Sequence, residues 1–311
     1  MSAIDISKLT DTLGAHCQEH RDELVTEILL DESLDAKFEV MDEITDELPL
    51  PNLEVGDLIK PADPVNFTPT SNALKFGAEV LKVRGIKADL LLIPQVLEKT
   101  WLGKLKSAKN PLELPFEAFI MTYIGQKVKE NLHLQGLFKG EYDAAGTTPI
   151  DTLDGFLKLV ADAITASKIT PIVTGVITKT NVIDKLELVY DGLGDAYKAI
   201  PTQMKVAPTI YDWYNRAYRT TFGGNNNYNG MPGKVFLDGT NCELVREPGM
   251  SGSQRVMASV KENFVYGCDT SSGFNLDIQK FNRSIKLLID FKAGVQFKQY
   301  SSKALAVNDQ A

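Results

Sequence analysis

Leu287-Leu288-Ile289-Asp290-Phe291-Lys292-Ala293-Gly294-Val295 lies in a region, from residue 234 to the end, where short apolar stretches are separated by turn residues. The turns are Asp238-Gly239, Pro248-Gly249, Lys261-Glu262-Asn263, Asn282-Arg283 and Ala293-Gly294. Gly, Asn and Asp tolerate the left-handed conformations that reverse a chain between antiparallel strands. The region is therefore predicted as a series of short strands, one of them ending at Ala293-Gly294. Upstream the periodicity becomes helical. Helices in the middle and strands at the C-terminal end predict an α+β fold rather than a regularly alternating α/β one.

Pro115, whose missing N–H is harmless in a first helical turn, opens a long helix with Phe116, Phe119, Ile120, Tyr123, Ile124 and Val128 on one face. Thr148-Pro149 caps another over 150–165, with Ile150, Leu153, Phe156, Leu157, Val160 and Ile164 inward. A strand at 171–178, a helix over 182–198 capped by Thr180 or Asn181, a strand at 203–207 and a helix opened by Pro208 follow. Before these, Pro94 and Pro111 bracket a short helix with Leu97, Trp101 and Leu105. Leu74, Phe76, Ala78 and Val80 alternate with more polar neighbours, and Gly85 leads into Ile86–Ile93. The span 73–93 is predicted as a long hairpin or an extended loop.

The N-terminal end differs in charge. Residues 1–60 carry 16 acidic and 4 basic side chains, a net of −12, against 25 acidic and 29 basic in the remainder, a net of +4. Ile6, Leu9, Leu13, Cys17, Leu24 and Ile28 recur at helical spacing, and Phe38, Val40, Ile44 and Leu48 offer further anchor points. Pro49, Pro51, Pro61, Pro64 and Pro69 crowd residues 49–69. Proline fixes φ and donates no hydrogen bond, so this stretch reads as an extended strap. An arm this charged is expected to lie on a surface of opposite sign, its own body's or a neighbour's.

Composition, at 43% hydrophobic and 24% charged, is that of a folded soluble protein. No apolar run approaches the roughly 20 residues of a membrane helix, and no basic-then-apolar leader follows Met1. Cys17, Cys242 and Cys268 lack motif spacing and fit a reducing compartment without a disulfide framework. No run of Lys and Arg supports sequence-specific nucleic-acid binding.

His16-Cys17-Gln18-Glu19-His20 matches the H-x-x-E-H pattern, so a zinc-dependent hydrolase using His16, Glu19 and His20 is the alternative from a different functional class. Against it, the two histidines fall near the helix face of Leu9, Leu13 and Leu24, and the chain's only other histidine is His133. Gly249-Met250-Ser251-Gly252-Ser253 lacks G-x-S-x-G spacing and has no histidine close in sequence. Gly192-Leu193-Gly194 lacks a third glycine and follows a helix. The glycine- and asparagine-rich run Gly223–Gly230 is either a connection or a contact loop at a symmetry axis. Tyr211, Trp213, Tyr214 and Tyr218 read as helix packing. No catalytic, cofactor-binding or metal site is predicted.

The order of these pieces resembles the major capsid proteins of tailed bacteriophages, the Hong Kong 97-type fold, over residues 50–300. It is carried most specifically by Val235-Phe236-Leu237-Asp238-Gly239-Thr240-Asn241, Phe264-Val265-Tyr266-Gly267 and the Leu287–Val295 stretch. Gly267-Cys268-Asp269 departs from the commoner Gly-Asp pair by its cysteine. The resemblance implies an N-terminal arm over 1–60, an extended loop over 61–93 and a peripheral domain over 94–146 with its spine helix at 115–138. It further implies an axial domain over 147–262, with 223–230 at the capsomer centre, and returning strands over 263–311. It implies a structural protein, not an enzyme, that assembles with itself into hexamers and pentamers around phage DNA held without sequence-specific binding. No cofactor, metal or membrane is implied, and there is room for portal, scaffold or decoration proteins. The protein would reside in the virion after assembly in the host cytoplasm, with the arm reaching a neighbouring subunit. A shell of the same fold that encloses protein cargo, an encapsulin-type compartment, is the alternative within the fold.

Overall fold

The computed structural model describes residues 6–30, 32–55, 59, 61, 74–93, 116–222 and 234–310. The short helix expected between Pro94 and Pro111 and the loop 223–230 lie outside them. The arm folds as α1 (Ile6–Glu19), α2 (Arg21–Leu29), α3 (Glu32–Lys37) and β1 (Glu39–Met41), followed by β2 (Glu47–Val55), β3 (Leu74–Lys82) and β4 (Arg84–Leu92). Next comes α4 (Phe116–Asn131), continued by a π-helical turn, Leu132–Gly136, and a last α turn, Leu137–Lys139. After it come α5 (Phe156–Thr165), α6 (Val182–Asp191), α7 (Asp195–Lys198), β5 (Thr202–Val206) and α8 (Pro208–Phe222). The C-terminal strands are β6 (Val235–Phe236), β7 (Cys242–Arg246), β8 (Met257–Ser259), β9 (Phe264–Cys268), β10 (Asn275–Phe281), β11 (Ser284–Phe297) and β12 (Ala306–Val307).

β11 is the pivot of the first sheet. It pairs antiparallel with β4 along one edge and with β9 and then β10 along the other. The expected turn at Ala293-Gly294 does not form; the strand runs through it, and Ala293 pairs with both Arg84 and Cys268. The glycine serves close approach instead, because a Cβ at Gly294 would strike the Lys82 carbonyl. Ile285, Leu287, Ile289 and Phe291, two residues apart and buried, share the core face of β11. α1 packs on β10, β11 and α4, while α2 packs along α4.

The second sheet has the order β12-β8-β5-β7-β6, with β5 and β7 parallel and the other pairs antiparallel. All five β5 residues are buried. Asp238-Gly239 and Asn282-Arg283 reverse the chain as expected, with Gly239 and Asn282 at φ 67° and 55°. Pro248-Gly249 and Lys261-Glu262-Asn263 instead form 3-10 turns. The first leads to a strand that is not its neighbour, and the second carries the chain from one sheet to the other.

Further expectations change. The helix expected over 150–165 divides into a 3-10 turn, Pro149–Thr152, and α5, and that over 182–198 into α6 and α7. Residues 73–93 are not a hairpin with itself: β3 pairs with β2, whereas β4 joins β11. The strap prolines Pro49 and Pro51 therefore lie inside a strand. Being two apart, they place both missing N–H groups on the side of β2 facing away from β3. Segment 171–178 is extended but makes only one bridge, Ile172 to Asn308. Side chains satisfy its backbone in place of a ladder: Asp309 Oδ1 accepts from Thr174 and Gly175, and Gln254 Oε1 from Ile177. Tyr123, expected on the inward face of α4, is 68% exposed, and Met121 takes a buried place there.

Candidate assembly site

The acidic arm lies on its own body. Leu13, Cys17, Leu24, Val25, Ile28, Leu29, Leu34 and Phe38 are all buried within the main core. Phe38 stacks on Phe156 at 5.5 Å, and Phe156 meets Phe138, Phe264 and Phe297, joining arm, α4, α5 and the first sheet in one aromatic cluster. The expectation, implied by the resemblance, that the arm reaches a neighbouring subunit is corrected for its described residues. The apolar stripe of the helices, not their net charge, selects the surface they cover.

Polar contacts fix the arm's position. β1 adds to the sheet parallel to β9. Arg21 Nη2 donates to the Phe274 carbonyl at 3.1 Å, and Gln203 Nε2 to that of Ala36 at 3.1 Å. Asp42 accepts from the Thr270 amide and hydroxyl, the Glu43 amide and the Cys268 thiol. Burial raises the Asp42 carboxyl, but these donors outweigh it and hold the group below its ordinary value. The cysteine in Gly267-Cys268-Asp269 thus has a structural place. Gly267 is equally constrained, since a Cβ there would lie 2.7 Å from Leu81 and 2.9 Å from Ile44.

Under the arm sits a buried charge cluster that sequence reading missed. Lys205, fully buried in the middle of β5, donates to the Lys37 carbonyl at 2.9 Å and pairs with Glu247 at 3.4 Å. Its ammonium stands 4.1 Å from the Phe38 ring centroid and 4.6 Å from that of Phe264. Glu247, also buried, pairs through its other oxygen with Lys37 at 3.2 Å. Burial pulls the Lys205 amine down to about 8, with Glu247 acting in the opposite direction. β5, Thr202-Gln203-Met204-Lys205-Val206, is mixed in polarity, and nothing local marks its lysine as buried.

The β2–β3 ribbon contrasts with the arm. Leu50 and Leu81 are buried at its base with Ile44, Val83 and Val265. Pro49 between them and Pro51, Gly77 and Ala78 beyond them are exposed. In the second sheet region, Val173 and Val176 are 78% and 58% exposed.

The sequence-marked constellations fall as follows. The His16 and His20 rings lie 4.5 Å apart beside the buried Cys17, and His20 Nδ1 meets Glu23 at 2.9 Å. Glu19 is exposed, and among the described residues no three His, Cys, Asp or Glu side chains form a set that could hold a metal. Gly249-Met250-Ser251-Gly252-Ser253 is a packed turn: Met250 is buried, and a Cβ at Gly249 would lie 2.6 Å from the His133 carbonyl oxygen. Gly192 closes α6 against Ile172, and Gly194 donates to the Lys303 carbonyl. Tyr214 is buried, with its hydroxyl accepting from the Asp238 amide, as helix packing requires. Burial pushes the thiols of Cys17, Cys242 and Cys268 up to about 11, 12 and 12. No described helix is long and apolar enough to cross a membrane.

No family model and no curated protein matches the chain. Solved structures do. A chain of the satellite phage P4 procapsid including size determination (Sid) protein superposes with a TM-score of 0.56 at 10% identity, over 94% of this chain and 98% of that one. The capsid of an empty GTA particle gives 0.54 at 12% identity, over 89% and 88%. A virus-like particle from Pyrococcus furiosus gives 0.51 at 10%, over 94% and 98%. The α+β fold is therefore the Hong Kong 97-type fold of phage capsid proteins, as the resemblance implied, and it spans nearly the whole chain.

Proposed function

We propose that this chain is the major capsid protein of a tailed bacteriophage, assembling into hexamers and pentamers that close into an icosahedral shell around phage DNA. The observation that carries the reading is the near-complete mutual coverage with the P4 procapsid chain, which leaves little of either chain for another activity. Each subunit would make several modest contacts whose effects multiply on closure. Head-to-tail contacts would generate the rings. The exposed β2–β3 ribbon and the exposed Val173 and Val176 are the surfaces we assign to neighbours. In this reading 1–60 is the arm, 61–93 the extended loop, 94–146 and 263–311 the peripheral domain and 147–262 the axial domain. The two strands of the ribbon lie on either side of residue 60 in sequence, so in this reading Pro49 and Pro51 group with the loop rather than with the arm. The protein would act in the virion after assembly in the host cytoplasm.

Negative-stain imaging and native mass measurement of the purified chain test the proposal. Closed particles are expected; a stable monomer at high concentration would overturn it. The likeness to a virus-like particle favours one second reading, a compartment of the same fold. Nucleic acid inside purified particles selects the virus, and protein cargo selects the compartment.

A further inference from the structure

Two helices within residues 147–262 present opposite charge. On α6 the face turned away from the buried Leu186 and Val189 holds Asp184, Glu187, Leu188 and Asp191, at i, i+3, i+4 and i+7 and all exposed. Asp238, in the turn after β6, is near enough to act on this face. Burial, Asp184, Asp191 and Asp238 all push the Glu187 carboxyl up. The lysines of this region do little to offset the crowding. Lys185 lies about 100° round the helix from Asp184. Lys198 reaches Asp191 only at 3.8 Å and is shared with Asp195 at 3.9 Å.

α8 has the reverse balance. Arg216 and Arg219, exposed and one turn apart, stand near its end, and residues 223–233 beyond it carry no charge. Asp212, one turn before Arg216, is met by Arg246 at 3.7 Å, which leaves the two arginines in excess. Half-buried Trp213 flanks them. Among the described residues neither arginine side chain makes an ion pair. α6 and α8 pack against each other, yet the acidic face of one and the arginines of the other are not neutralised within the chain.

Complementary faces that cannot meet in one chain are what a head-to-tail contact between copies requires. We propose that the acidic face of α6 in one copy receives the arginine end of α8 from the next copy around a ring. This rests on the assembly proposed above and names one of its contacts. Leu188 would meet Trp213 between the charges. Charge of this kind sets orientation and excludes wrong pairings more than it adds affinity.

The test is charge exchange in the full-length chain. One variant carries Arg216→Glu and Arg219→Glu, and a second carries Asp184→Lys and Glu187→Lys. Each should keep the melting temperature of the unassembled subunit within a few degrees and cut the yield of closed particles about tenfold at low salt. All four substitutions together make the two faces opposite in sign again and should bring the particles back. Each double variant alone presents like charge on both faces. Sedimentation at low salt should therefore show the two associating when mixed and neither associating by itself. Particle yield unchanged by either pair, no recovery with all four, or no association on mixing would overturn the contact. A wild-type chain that forms no particles would overturn the assembly proposal instead, and the mixing experiment would still decide the contact.

Discussion

The N-terminal arm and the β2–β3 ribbon are neighbours in sequence and opposite in construction. The arm is densely acidic, yet it buries an apolar stripe and an aromatic ring in the main core. The ribbon is held at its base by Leu50 and Leu81, and prolines occupy one of its two strands. Net charge therefore does not say which segment leaves the body. The repeat of apolar residues does, because burial of a stripe contributes more than exposed charges lose to solvent screening.

The largest test of this contrast is deletion. Removing residues 1–41 should expose the core face of α4 and β10 and leave an insoluble or unfolded chain, measured by soluble yield and circular dichroism. Replacing 56–73 with a short Gly-Ser turn should leave the subunit's melting temperature within a few degrees while closed particles disappear from micrographs. A soluble, cooperatively melting body without the arm would break the comparison.

Phe38→Ala comes next. Losing a buried ring that stacks on Phe156 and covers Lys205 should cost about 3–5 kcal/mol in urea unfolding of the unassembled subunit. Glu247→Gln, which leaves Lys205 buried without its counter-charge, should destabilise by a similar ~3–5 kcal/mol, and adding Lys205→Met should recover most of it. The same lysine gives a pH signature. With its folded value lowered from 10.5 to about 8, the unfolded chain binds more protons between those values. Its contribution to stability therefore rises with pH across that window, and Lys205→Met should remove the rise.

Smaller effects sharpen the two ends. Asp42→Asn should cost about 1–2 kcal/mol by weakening the charge-assisted contacts to the 269–274 loop. Because the Asp42 carboxyl is held below 3.8, its contribution is present above that pH and fades as acid is added, and the variant should show less of that fading. Pro51→Ala in the ribbon should change subunit stability by less than about 1 kcal/mol, since the restored N–H faces solvent.

The capsid fold was legible from the order of pieces: a long helix after Pro115, turns at Asp238-Gly239 and Asn282-Arg283, and strands toward the C-terminus. Gly294 was misread as a turn because only the approach of the Lys82 backbone shows why it lacks a side chain. Residues 171–178 read as a strand, but Asp309 and Gln254 take the hydrogen bonds that a ladder would have made. The cluster of Lys37, Lys205 and Glu247 could not be read at all, since its members are scattered along the chain and meet only when the arm closes over β5.

By itself the sequence determined the elements whose signals are local, such as helical spacing in the arm and around Ile120 and Ile124, proline at helix starts, and left-handed residues in two tight turns. The tertiary structure alone decided what those elements touch. It paired β2 with β3 rather than β3 with β4, ran β11 through Ala293-Gly294, and laid the acidic arm on its own body. Periodicity marks a buried face, but only packing in three dimensions supplies the surface that buries it.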